Sequence, residues 1–135
     1  MKRRFILARN TVISISVILS AVSSCFFTIV GASAGLGEIG IYPLIKIPPY
    51  VWAIWGILWG VVCGFFIGKL LIKALLKKRN VFYGLVYGLL GAIVIGSVNG
   101  FLTNTLIFGV IIGAFLGPVP GLILAAIFLL IYKPK

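Results

Sequence analysis

The stretch WAIWGILWGVVCGFFIGKLLIK, Trp52 to Lys73, decides how the chain is read. Gly56, Gly60, Gly64 and Gly68 fall four residues apart inside an otherwise apolar run. Trp52, Trp55 and Trp59 crowd its start, and a lysine series begins at Lys69. About 20 consecutive apolar residues are enough for a helix to cross roughly 30 Å of hydrocarbon. Residues four apart lie on nearly one face of an α-helix, drifting by about 40° per step. The stretch therefore reads as a membrane-spanning helix with a flat glycine seam. Small side chains let two helix backbones approach closely, in crossings of roughly −40°.

The pattern recurs on both sides of this span, which covers residues 50–72. A first span, residues 11–34, carries a small-residue series at the same spacing: Ser16, Ser20, Ser24, Thr28 and Ala32. A third, residues 81–99, carries Gly84, Gly88, Ala92, Gly96 and Gly100. A fourth, residues 106–132, carries Gly109, Gly113, Gly117 and Gly121. A shift of 53 residues maps the glycines of the second span onto those of the fourth. The Gly- and Pro-rich segment 35–49 reads as a loop on the membrane surface, and a tight polar turn is expected between the third and fourth spans. The expected fold is all-α: one integral membrane domain, residues 1–135, of four transmembrane helices packed through G-x-x-x-G seams.

Composition agrees. The 135-residue chain is 62% hydrophobic and 10% charged, with a mean hydropathy of +1.29, whereas soluble domains are about 25% charged. The net charge is +11, from 12 basic residues against the single acid Glu38. In a soluble chain this would suggest nucleic acid. Here the cations sit at the ends of apolar runs, where they set orientation, and no nucleic-acid partner is expected. Lys2, Arg3, Arg4 and Arg9 precede the first span. Lys69, Lys73, Lys77, Lys78 and Arg79 close the second, Lys133 and Lys135 follow the fourth, and Lys46 alone falls on the other side. The positive-inside rule then places both termini in the cytoplasm, and the expected location is a prokaryotic cytoplasmic membrane. The run Lys69 to Arg79 is also a candidate site for anionic lipid head groups. Tyr50, Trp52 and Trp55 fit the outer interface, and Trp59, about 10 Å further in, is read as facing lipid.

Pro118 and Pro120 interrupt the fourth span. Neither has an N–H, so the carbonyls of Ala114 and Leu116 lose their helical donors, and a kink is expected there. Broken helices mark binding sites in several transporters.

Catalytic chemistry is scarce. The chain has no histidine and one acid, so neither an imidazole-based couple nor a carboxylate pair can be assembled. No enzyme activity, cofactor or metal is expected. Cys25 and Cys63 lie inside apolar runs and read as packing residues. Val22-Ser23-Ser24-Cys25 also resembles a lipoprotein cleavage site, although Phe26 to Val30 continue the apolar run.

Four seams exceed what a small bundle needs. The first functional expectation is therefore a non-catalytic packing subunit of a membrane complex, docking on larger subunits or on copies of itself. The alternative is a small oligomeric channel or transporter. Its polar path would use Ser16, Ser20, Ser24, Thr28, Asn99 and Asn104, with the Pro118–Pro120 break as gate. If those side chains pack dry against neighbours, the path has no support.

Overall fold

The computed structural model describes residues 2–35, 49–103 and 106–132. The segment 36–48, with Glu38 and Lys46, lies outside the described residues, as do Asn104, Lys133 and Lys135. The described elements are helices throughout: α1 (Lys2–Gly35), α2 (Pro49–Lys77), α3 (Phe82–Leu102), α4 (Leu106–Leu116) and α5 (Pro118–Ile131). Four stretches are long and apolar enough to cross a membrane: Arg3–Gly31, Tyr50–Lys77, Phe82–Leu102, and Leu106–Ile131 across the α4–α5 junction. By the length and composition of its helices the chain is an integral membrane protein.

Several boundaries differ from expectation for local reasons. The basic tail is not separate: helix α1 starts at Lys2, and no Pro or Gly between there and Thr11 stops it. At 34 residues, α1 measures about 50 Å, so part of it extends beyond the hydrocarbon. Helix α3 passes through Asn99-Gly100 instead of turning there. The Asn99 amide reaches across to α1 rather than bonding its own backbone, and the Asn99 carbonyl accepts from both the Thr103 N–H at 3.0 Å and its hydroxyl at 2.8 Å. At the opposite end, the Asn80 side chain accepts from the Phe82 N–H at 3.0 Å and holds the start of α3. Arg79 Nη2 donates to the Tyr132 carbonyl at 3.0 Å, joining the α2–α3 connection to the end of α5.

The fourth span is divided at Gly117, whose φ of −65° and ψ of −40° remain helical. Gly117 N–H bonds to the Gly113 carbonyl at 2.9 Å, and Gly121 N–H to the Gly117 carbonyl at 3.4 Å. The interruption is thus one of missing donors at Pro118 and Pro120, not of backbone conformation at the glycine.

Two antiparallel hairpins result. Helix α1 pairs along its length with α2, and α3 pairs with α4 and α5; contacts between the hairpins, chiefly α1 with α5 and α2 with α3, are fewer. The apolar core lies towards the basic end, where Val12, Leu71, Leu75, Leu124 and Phe128 are buried. Buried polar side chains, Ser24, Thr28, Asn99 and Thr103, collect towards the other end. The molecule is therefore graded along its axis.

Candidate functional site

The second span of each hairpin presents its glycines to the first. A Cβ placed on Gly56 would lie 2.7 Å from Cys25 Cα and 2.8 Å from the Ser24 carbonyl oxygen. One on Gly60 would fall against the Ser20 carbonyl and 2.5 Å from Ala21 Cα. One on Gly64 would lie 2.7 Å from both the Ser16 carbonyl oxygen and Val17 Cα. At Gly68 the spacing relaxes, with Ser16 Cβ at 3.3 Å. In the other hairpin Gly84 meets Gly121, Gly88 meets Gly117, Gly96 meets Gly109, and Gly113 meets Ala92, in each case through a backbone carbonyl. Each step of four along one helix is matched by four back along its neighbour. At all of these positions the neighbour found is a helix of the same chain.

Three polar side chains of α1, Ser16, Ser24 and Thr28, are buried as well. Ser16 Oγ donates to the Gly64 carbonyl at 2.8 Å. Thr28 Oγ1 bonds within its own helix, to the Ser24 carbonyl at 3.0 Å and that of Cys25 at 2.8 Å. Asn99 Nδ2 donates to Ser24 Oγ at 2.8 Å, joining the hairpins. Asn99 is 1% exposed, and its Oδ1 has no partner among the described residues; nor does the enclosed Nε1 of Trp59. Trp59 is half-buried and stacks on Trp55 at 6.5 Å between ring centroids, so its ring is only partly turned outward. An enclosed polar atom without a partner costs about 1–3 kcal/mol, which the surrounding packing must offset.

Between the hairpins lies a cleft of about 570 Å³. Ser16, Ser20 and Ser23 of α1, Gly88 and Ala92 of α3, and Gly117 and Pro120 of the fourth span line it, together with large apolar side chains such as Phe27, Leu71 and Leu124. Of the expected polar path, only Ser16 and Ser20 reach this space; Ser24, Thr28 and Asn99 are buried beyond it. The cleft is the size of small-molecule pockets, and it touches the proline-bearing segment of the fourth span.

No family model, curated protein or solved structure matches this chain. Function must therefore be argued from the chain's own geometry.

A second hollow, of about 640 Å³, opens between α1 and α2 at the basic end. Arg9, Lys69 and Lys73 line it together with Asn10, Ser14 and Phe65. Only two of the five cations expected to hold head groups reach this hollow, Lys69 and Lys73. Lys77 and Lys78 do not line it, and Arg79 is engaged with Tyr132. Arg9, Asn10 and Ser14 were not legible as members, because the antiparallel register that brings α1 beside Lys73 is a tertiary fact.

Cys25 is half-buried within α1 and Cys63 is buried within α2. Neither has a second titratable ligand set beside it that would suggest chemistry, since no group of three His, Cys, Asp or Glu side chains occurs among the described residues.

Proposed function

We propose that the protein is a non-catalytic packing subunit of a membrane assembly, and that what it offers a partner is the cleft between its hairpins. In this reading the G-x-x-x-G seams act as glycine zippers that close each hairpin. They make two stiff halves, and the fourth span bends at Pro118 and Pro120. By the positive-inside rule both termini and the α2–α3 connection face the cytoplasm of a prokaryotic membrane. The observation that carries the reading is the inward use of the polar groups. Ser16, Thr28 and Asn99 are engaged with other groups of the chain, while a cleft lined by large apolar side chains interleaved with Gly, Ala and Ser stays open. Such a space suits the side chains of a neighbouring apolar helix, whose close approach small residues permit.

The test is purification of the full chain in mild detergent with cleft-filling variants. Ser23→Phe and Val119→Phe place a ring at the cleft without touching a seam, because both positions line the cleft and are exposed. Val62→Phe, exposed on α2 away from the cleft, is the control. Wild type and Val62→Phe should elute with a larger subunit or a second copy, and both cleft variants should elute alone. A wild-type chain that elutes alone, or cleft variants that keep the partner, would refute the reading.

One observation favours a second reading, a small oligomeric channel or transporter. Gly117, Val119 and Pro120 of the interrupted segment line the same cleft as Ser16, Ser20 and Ser23. Movement at the interruption would change the cleft directly. Flux of small ions and neutral solutes into liposomes holding the purified chain decides it, and no flux above empty liposomes eliminates it.

A further inference from the structure

We propose that the hollow between α1 and α2 at the basic end is a binding site for the head group of an anionic phospholipid. Three cations from two helices converge on it, Arg9 from α1 and Lys69 and Lys73 from α2, with the neutral donors Asn10 and Ser14 beside them. The Lys69 ammonium lies 4.2 Å from the centroid of the Phe65 ring. Phe65 is one turn nearer the middle of the span than Lys69, so this charge is directed away from the basic rim and towards the hydrocarbon. A helical side chain leans towards the helix N-terminus, and in α2 that direction leads inward from the rim.

A cation in this position needs a counter-charge. None of the described residues carries a carboxylate side chain, and the only acid of the chain is Glu38. The ring face supplies part of what is needed, through its negative quadrupole. It brings no net negative charge. A phosphate does, and its oxygens also accept from Arg9, Asn10 and Ser14. The hollow has an apolar side too, formed by Ile13, Phe65, Ile72 and Leu76. With cations and apolar side chains sharing one lining, it fits an amphiphile better than a free ion, so the occupant is a lipid rather than inorganic phosphate. The site lies on the α1–α2 flank and shares no lining residue with the cleft between the hairpins. The proposal therefore stands whether or not that cleft receives a partner.

The experiment is native mass spectrometry of the full chain in mild detergent, titrated separately with dioleoylphosphatidylglycerol, dioleoylphosphatidylcholine and inorganic phosphate. Phosphatidylglycerol should bind one per chain and resist displacement by phosphate, and phosphatidylcholine should be lost on activation. Each basic residue near a charged head group is worth about fivefold in affinity. Arg9→Gln, Lys69→Gln and Lys73→Gln should therefore each weaken phosphatidylglycerol by about fivefold, and Arg9→Gln with Lys73→Gln by about thirtyfold. Lys77→Gln with Lys78→Gln, outside the hollow, should change it less than twofold. Unchanged circular dichroism confirms that each variant is folded; if Lys69→Gln is not, the Arg9 and Lys73 pair decides. Equal retention of phosphatidylcholine, displacement by equimolar phosphate, or an equal loss in the Lys77 and Lys78 variant would each overturn the proposal.

Discussion

Alanine at Gly60 should destabilise the chain and alanine at Gly68 should not, although both lie on one seam of one helix. At Gly60 the added methyl would sit on the Ser20 carbonyl, with Ala21 Cα at 2.5 Å and the Ser20 carbonyl carbon at 2.7 Å. All three are backbone atoms, so no rotamer change relieves them. Carbon atoms pack best at about 3.5–4.0 Å, so α1 and α2 must part by about 1 Å. Overpacking of this kind costs about 1–3 kcal/mol. Alanine returns up to about 1 kcal/mol over glycine in helix propensity. The net expectation for Gly60→Ala is a loss of about 1–2 kcal/mol. At Gly68 the nearest atoms are Ser16 Cβ at 3.3 Å and Ile13 Cα at 3.4 Å, so a shift of a few tenths of an ångström suffices. Propensity then balances or outweighs the contact, and Gly68→Ala should be neutral or more stable by up to about 0.5 kcal/mol.

The three tryptophans all lie on α2, so their fluorescence reports opening of this hairpin. Titration of the folded chain in mild detergent with sodium dodecyl sulfate measures the midpoint for each variant. Gly60→Ala should unfold at a clearly lower fraction of the denaturing detergent, and Gly68→Ala at the wild-type value or above. A wild-type midpoint for Gly60→Ala, or an equal fall for Gly68→Ala, would refute the reasoning from backbone contact.

Three further outcomes can be measured. Ser24→Ala removes the hydroxyl that accepts from the Asn99 amide at 2.8 Å and leaves it only the Ser24 carbonyl at 3.5 Å; it should cost about 0.6 kcal/mol, the mean for hydrogen bonds between membrane helices, and at most about 1.7. Adding Asn99→Leu should cost less than the sum of the two single changes, because the double variant leaves no stranded amide. Replacing both Pro118 and Pro120 by alanine restores donors for the Ala114 and Leu116 carbonyls. It should slow amide hydrogen exchange across residues 114–121 and add about 1 kcal/mol per recovered bond; exchange as fast as wild type would show that the prolines do not limit this segment. In a chain with Cys25 and Cys63 replaced by alanine, a membrane-impermeant maleimide should label Arg79→Cys only from the cytoplasmic side and Phe101→Cys only from the other; the reverse would invert the proposed orientation.

Much of the fold was legible because it depends on near neighbours in sequence. Apolar runs of about 20 residues, bounded by Lys69–Arg79 and by the Gly- and Pro-rich segment 35–49, mark helices whatever they pack against. The ends were less legible. Helix α1 continues through the basic tail, and α3 continues past Asn99, since its polar side chain found a partner 75 residues away in Ser24. Of the candidate site residues, the glycines were easy to see and their partners were not. Spacing four identifies a flat face, but a face looks the same whether a helix of the same chain or another subunit lies on it. Trp59 shows the same limit: its position at depth is a sequence fact, and the enclosure of its indole N–H is not.

From its sequence alone this protein is a membrane chain of four apolar spans, with flat small-residue faces, a basic end, and two missing backbone donors in the last span. These follow from composition and helical period. Only the tertiary structure decided that α2 lies on α1 and α4–α5 on α3 in antiparallel register. The same register turns Ser16 and Asn99 inward, leaves a cleft beside Pro120, and carries Arg9 to Lys69 and Lys73. The reason is physical: a helix settles its own backbone hydrogen bonds locally, but which face meets which depends on where carbonyls of a distant segment leave room for a residue with no side chain.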